Sequence, residues 1–373
     1  MSFTVPSGRD GMTLVELLAV IVILGLLSVA VIPILDGGEL RAARNAAASM
    51  TSLVATAQGR SLGHDSPAGL WIEPLSVDAA IDVVLARQPA PYRGDTFDAT
   101  VALSGPVAGG TMELTFSEKG TSVTTLTAPA ETPFATTGDF IEFAGSASRF
   151  TLICPDPPAS TGFRAALRAE AGQTAANTLW PTPALEGSGT VWHGFSILRR
   201  PAPAAAGLTL GSGLAIDLAW SGVGTGRFGR TALAGDGSAT ADVSDDVLPL
   251  GTYTAGQAIA ILFDRTGAVG EIGFFNTATT VAAGEAPDHT AELRAPLQAP
   301  LLLLVGRIDR CGLGFREPVS EEAPGANWQY PESFWVSIDP KTGLARSARV
   351  TLRDADGPVT TARRSQAAIR SAP

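Results

Sequence analysis

From Leu17 to Leu35 the chain runs through 19 residues without a charge, nearly all of them aliphatic. As a helix rising ~1.5 Å per residue, this run covers about the 30 Å hydrocarbon core of a bilayer. A secretory signal peptide has a shorter apolar core, about 7–15 residues, followed by small residues at a cleavage site. Here the chain continues as "DGGELRAARNAAASM", which reads as more helix. A buried core helix is the other alternative, but near-continuous Leu/Ile/Val over this length is unusual there. A membrane-spanning helix is therefore expected. Glu16 stands at its start, and an acid within a membrane segment costs about 2.5–3.5 kcal/mol on insertion scales, so it needs either the membrane surface or a partner.

Beyond the run, Leu40, Ala43, Ala47, Met50, Val54 and Ala57 recur in steps of three and four, which places them on one helix face. Arg41, Arg44 and Asn45 fall on other faces. The small residues allow this amphipathic half, 36–63, to lie close against a sheet. Asp36-Gly37-Gly38 is a point where the helix is expected to loosen, because glycine costs about 1 kcal/mol in a helix. An end near Gly63 is expected, before "HDSP".

The rest reads as β structure. The composition of 41 Gly and 26 Pro among 373 residues calls for many turns. Strand candidates include "GLWIEPL", "TMELTFSEKGTSVTTLTA", "SGLAIDLAWSG" and "APLLLLVGRI". Two hairpins stand out: Ile261–Gly267 and Val336–Gly343. In each an aspartate opens the turn and a glycine supplies positive φ before the return strand. A β-rich domain over 64–352 is expected, with a short C-terminal tail, 353–373. Pro-rich joints at "RQPAPYRG", "CPDPPAS" and "RRPAPAAAG" mark an inserted β region at about 87–203, with one helix at "GFRAALRAEAG".

Charge limits the partners. Lys and Arg number 26 against 36 Asp and Glu, a net charge of −10. That disfavours nucleic acid, whose binding rests on basic contacts to phosphate. The tail "TARRSQAAIR" reads as a solvated end.

No catalytic site is expected. "GRSLG" (Gly59 to Gly63) fits G-x-S-x-G with His64 beside it, but a nucleophile elbow needs a strand before the serine and a helix after it, and here the motif ends a helix. "GTGRFG" (Gly224 to Gly229) fits G-x-G-x-x-G, yet no amphipathic helix follows. His64, His193 and His289 lack ligand spacing. Asp242, Asp245 and Asp246 read as a solvated acidic turn, without the EF-hand pattern. No metal or cofactor is expected. Cys154 and Cys311 leave two readings open: a disulfide, or two independent buried thiols.

The N-terminus carries a resemblance. Gly11 followed by Met12-Thr13-Leu14-Val15-Glu16-Leu17-Leu18 resembles the class III leader of type IV prepilins and type II secretion pseudopilins. The resemblance implies a leader over 1–11 and cleavage after Gly11 by a prepilin peptidase, with N-methylation of Met12 as the new N-terminus. It also implies a membrane-spanning half over 12–35 bent at Pro33, and pairing of Glu16 with the Met12 amine of a neighbouring subunit. Such pairing would relieve the cost of an unpaired carboxylate in low dielectric. The hairpin "AILFDRTGAVGEI" and the later "FWVSIDPKTG" are similar to those of H-type minor pseudopilins. The implied fold is α+β and pilin-like: a long N-terminal helix packed on an antiparallel β domain. The implied partners are other pilin or pseudopilin subunits, the peptidase, the inner-membrane assembly platform and the lipid bilayer, without nucleic acid. The implied location is the inner membrane, single-pass, with the β domain outside the cytoplasm. A reading from another class is a carbohydrate- or ligand-binding module on such an anchor. It would be favoured by exposed aromatics on the insert, such as Trp180 and Trp192.

Overall fold

The computed structural model describes residues 14–63, 66–76, 78–107, 111–117, 135–146, 148–154, 162–167, 180–181, 191–211, 213–223, 257–276, 293–297, 299–312 and 325–351. For 24–37, 105–107, 205–206, 276 and 293–295 the description is of the backbone alone.

One helix, α1, runs from Leu14 to Ser61 over 48 residues. Leucine, alanine and methionine are strong helix formers, and the helix continues through Pro33 and Gly37-Gly38. Glu16 in its first turn and Arg60 in its last complement the helix dipole. It ends as Leu62 N–H donates to Gln58 O at 3.2 Å, and Gly63 takes φ +73°, the left-handed conformation that closes many helices.

Two antiparallel sheets follow. The first contains β1 (Ala68–Pro74), β2 (Ala79–Arg87), β10 (Ala202–Thr209), β11 (Leu214–Val223), β12 (Gln257–Phe263), β13 (Val269–Asn276), β14 (Leu293–Ala295), β15 (Leu301–Arg307), β16 (Phe334–Ile338) and β17 (Ala345–Arg349). Its order is β14-β13-β12-β1-β2-β11-β15-β16-β17, and β10 pairs the later half of β2. The second lies in sequence between Arg87 and Ala202 and contains β3 (Val101–Val107), β4 (Thr111–Phe116), β5 (Phe140–Phe143), β6 (Arg149–Ile153), β7 (Phe163–Ala166), β8 (Trp192–His193) and β9 (Phe195–Leu198). Its order is β8-β3-β4-β7-β6-β5-β9. Because β8 and β9 are separated by Gly194 alone, one stretch of chain forms both edges. It pairs with β3 through Trp192 and His193, and with β5 through Phe195–Leu198. The second sheet thus closes on itself as a small barrel, which removes its free edges.

Among the described residues the barrel interior is packed with side chains. Its strands alternate apolar-in and polar-out, as in β4. The interior is filled by Phe116, Phe143, Phe150, Phe163 and Phe195, with Phe116 edge-on to Phe163 at 5.3 Å and to Phe195 at 5.0 Å. The stretch "GFRAALRAEAG" departs from its helical expectation: Phe163–Ala166 is a strand between β4 and β6. Phe163 and Ala165 alternate into the phenylalanine core, so packing overrides helix propensity there.

Both faces of the first sheet are covered, which is why β11, β12 and β16 are buried along their whole length rather than at alternate positions. One face takes α1. The other carries two apolar groups: Trp220, Trp328 and Trp335 with Leu302 and Leu304, and Trp71 stacked on Phe275 at 5.6 Å. The Arg200 guanidinium lies 5.6 Å from the Phe275 ring, and Arg149 joins Glu142 of the barrel at 2.6 Å and Glu271 of the first sheet at 3.6 Å.

Cys154 and Cys311 are free thiols, so the disulfide reading is not realised. Cys154 follows β6 in the barrel, where its N–H donates to Thr137 Oγ1, whereas Cys311 follows β15 of the first sheet, beside Asn327. Burial pushes the Cys154 thiol up to about 12 and raises that of Cys311 as well.

Candidate functional site: the N-terminal helix and its seat

Gly11 and Met12 lie outside the described residues. Glu16 occupies the first turn of α1 and is exposed. Around it Leu14, Val15, Leu17, Leu18, Ile21, Val22 and Ile23 are exposed on every side of the helix, Leu14 to 78% and Ile21 to 61%. A helix apolar all round and uncovered by its own chain is matched to a hydrocarbon or protein environment. Among the described residues no helix is long and apolar enough to cross a membrane. Most of the Leu17–Leu35 run, Pro33 included, falls in the backbone-only segment 24–37, whose side chains lie outside the description.

The helix meets the sheet at Glu39. Arg307, at the end of β15, holds Glu39 Oε1 at 2.8 Å through Nη1 and Asp309 Oδ2 at 2.7 Å through Nη2. The hydrogen bond to Asp309 is the largest influence keeping that guanidinium above its ordinary value. From there Ala43, Ala47, Met50, Val54 and Ala57 pack on Leu70, Ile72, Ile261, Leu303, Val336 and their neighbours, and at most 2% of any of these five remains exposed. The alanines bring the helix close, and Met50 fills the space between them.

The far end of α1 is held by both hairpin turns. Gln58 Nε2 donates to Gly267 O at 2.9 Å and to Thr342 O at 2.6 Å. Each turn is built by its aspartate. Asp264 Oδ1 accepts from Thr266 N at 2.8 Å and Thr266 Oγ1 at 2.6 Å, and Asp339 Oδ1 accepts from the Lys341 and Thr342 N–H groups at 2.9 Å. Val269 N–H donates to Pro340 O at 2.9 Å, and Gly63 N–H to Arg265 O at 3.3 Å, so helix end and hairpins form one unit.

A polar group is buried behind the seat. Asp217 is fully buried at a bulge in β11 and accepts from Asn327 Nδ2 at 3.0 Å. Asn327 also donates to Arg307 O at 2.9 Å and accepts from Arg307 N–H at 2.9 Å. Burial raises the Asp217 carboxyl to about 7, against the opposing effect of the Asn327 hydrogen bond. This group, which ties Arg307 to the sheet interior, carries no sequence motif. Its only trace in the sequence is an aspartate within the apolar strand "LAIDLAW".

Of the motifs with enzymatic look-alikes, only Gly59–Gly63 falls among the described residues. Ser61 is buried at the end of α1 and donates to Gln58 O at 2.8 Å, with no strand before it. His64, His289, Gly224–Gly229, Asp242, Asp245 and Asp246 lie outside the described residues. His193 lies on β8. No cluster of three His, Cys, Asp or Glu suited to a metal occurs among the described residues. Trp180 stacks on Phe150 at 4.3 Å in the barrel core, whereas Trp192 is 46% exposed.

In comparison with known families, residues 6–32 match the prokaryotic N-terminal methylation motif. No curated protein and no solved structure matches the chain. The motif is that of a prepilin-type N-terminus, and it overlaps the described part of α1 from Leu14 onward.

Proposed function

We propose that the chain is a structural subunit, a minor pseudopilin of a type II secretion pseudopilus or a minor pilin of a type IV pilus, closest to the H-type. The observation that carries this reading is continuity. The methylation motif at residues 6–32 overlaps, from Leu14 onward, a 48-residue helix that exposes apolar side chains around Glu16 and whose second half is seated in a β domain.

The mechanism is assembly rather than catalysis. Prepilin peptidase cuts after Gly11 and methylates Met12. The Leu17–Leu35 run holds the subunit in the inner membrane, single-pass, with the β domain outside. Glu16 of one subunit then meets the Met12 amine of the next. In low dielectric an unpaired carboxylate is costly and a paired one much less so, which favours subunits in register. Arg307, Glu39 and Gln58 fix the globular part to the helix at both ends of the seat, so that movement of the helix into a filament carries the domain with it.

The test is incorporation. In a host carrying the filament system, wild-type chain is expected in the sheared filament fraction, and Glu16→Ala is expected to stay in the membrane at equal total abundance. Equal incorporation of Glu16→Ala would remove the pairing step. A second reading, a carbohydrate- or ligand-binding module on the same anchor, is favoured by Trp192, exposed on the barrel wall. It loses Trp180 to the phenylalanine core.

A further inference from the structure

Leu35 is the last residue of the apolar run, and α1 continues from it as helix through Glu39, a rise of ~6 Å. The polar headgroup layer on either side of a hydrocarbon core is about 5–7 Å thick. Arg307 Nη1 holds Glu39 at 2.8 Å, so the end of the β domain that carries Arg307 is fixed at this height on the helix. A helix that leaves the hydrocarbon at Leu35 therefore brings that end of the domain into the headgroup layer.

Two short segments build this end, the turn after β15 and the stretch before β16. The turn, Ile308–Arg310, starts with Ile308 N–H donating to Gly213 O at 2.8 Å. Arg310 lays its guanidinium over the Tyr330 ring, 3.2 Å from the centroid, and Arg349 of β17 donates through Nε to Pro331 O. Two guanidinium groups thus meet the Tyr330-Pro331 step, Arg310 half-buried and Arg349 exposed. Arg310 makes no hydrogen bond or ion pair among the described residues. An arginine stacked on an aromatic ring is held flat for bidentate binding of phosphate, and tyrosine is a residue of the membrane–water interface. Charge at this end is balanced. Arg307 is taken up by Glu39 and Asp309, while Arg41, Arg310 and Arg349 stand with the acids Glu332 and Asp78, the latter beside Gly312. On a chain of net charge −10, this neutral end is one from which lipid phosphate is not repelled.

We infer that this end of the β domain rests on the phospholipid headgroups of the membrane that holds α1, with a lipid phosphate bound by Arg310 and Arg349 and the Tyr330 ring at headgroup level. Position selects this occupant: the ion pair to Glu39 fixes the height, and the anchor supplies the lipid. The inference rests on the reading of Leu17–Leu35 as a membrane anchor. It adds a second contact, which sets how the domain stands on the membrane before the subunit enters a filament.

The experiment compares the full-length chain in three settings: vesicles of phosphatidylethanolamine and phosphatidylglycerol, vesicles of digalactosyldiacylglycerol, which carries no phosphate, and nonionic detergent. Flotation of the vesicles after an alkaline wash reads the anchor. Phenylglyoxal modification followed by peptide mass spectrometry reads each arginine. Flotation with both kinds of vesicle is expected. Arg310 and Arg349 should be modified about fivefold or more slowly in phospholipid than in detergent or galactolipid. Arg265, on the turn at the Gly63 end of the helix, should react equally in all three. A chain that floats while Arg310 reacts as fast in phospholipid as in detergent overturns the headgroup contact and leaves the anchor standing. Equal protection in galactolipid overturns phosphate as the ligand. A chain that fails to float overturns the anchor and the inference with it.

Discussion

Asn327 donates its side-chain amide to the Asp217 carboxylate at 3.0 Å in a place where neither residue reaches solvent. The carboxyl is raised by burial to about 7 from an unfolded value of 3.8. The folded state therefore keeps a proton that the unfolded chain gives up as pH rises above 3.8. Stability from this group is full below that value and is lost as pH climbs towards 7, by at most ~1.4 kcal/mol per pH unit. Asp217→Asn removes the titration while keeping an amide oxygen for Asn327. Thermal melting of the two proteins should diverge between pH 4 and 7, with the variant more stable at pH 8. Parallel melting curves across this range would show that Asp217 does not titrate as described.

Gly343 has φ +67°, and a Cβ there would lie 1.9 Å from Gly267 O, between the hairpin turns that Gln58 joins. Gly343→Ala should cost about 3 kcal/mol or more, because both the backbone conformation and the contact resist it. A urea midpoint within error of wild type would mean that the two turns do not touch.

Gln58→Ala leaves Gly267 O and Thr342 O without its amide. A loss of about 1–2 kcal/mol is expected, and proteolysis should begin at the helix end before it reaches the sheet. Met50, fully buried between α1 and the sheet, should cost about 2–5 kcal/mol as Met50→Ala. Denaturant unfolding measures both. If Met50→Ala proved harmless, the seat of the helix would be in doubt.

Cys154 and Cys311 should each take up one alkylating group when the protein is denatured without reductant. Both should react slowly in the folded state, since burial raises both thiols. Intact mass before and after reduction reads this directly. An adduct that appears only after reduction would restore the disulfide.

Much of the helix seat was legible because its signals are local. The steps of three and four from Leu40 to Ala57 name the buried face, and the aspartate–glycine spacing names the two hairpin turns. What the sequence could not give was the meeting of those turns. Gln58 is separated from Gly267 by 209 positions and from Thr342 by 284, and no local pattern encodes that contact. The same holds for Asp217 and Asn327. The stretch at Phe163 misled because arginine and alanine favour helix, whereas a strand lets Phe163 and Ala165 both face the barrel core. Closure of the barrel depends on Gly194, where one strand changes partners, and that is a property of pairing rather than of composition.

The central claim is that the N-terminus is processed for assembly. Its most direct test is the N-terminal mass of the full chain expressed with and without the host's prepilin peptidase. The account predicts a peptidase-dependent product beginning at methylated Met12. An intact N-terminus in the presence of the peptidase, or a cut beyond Leu35, would contradict it.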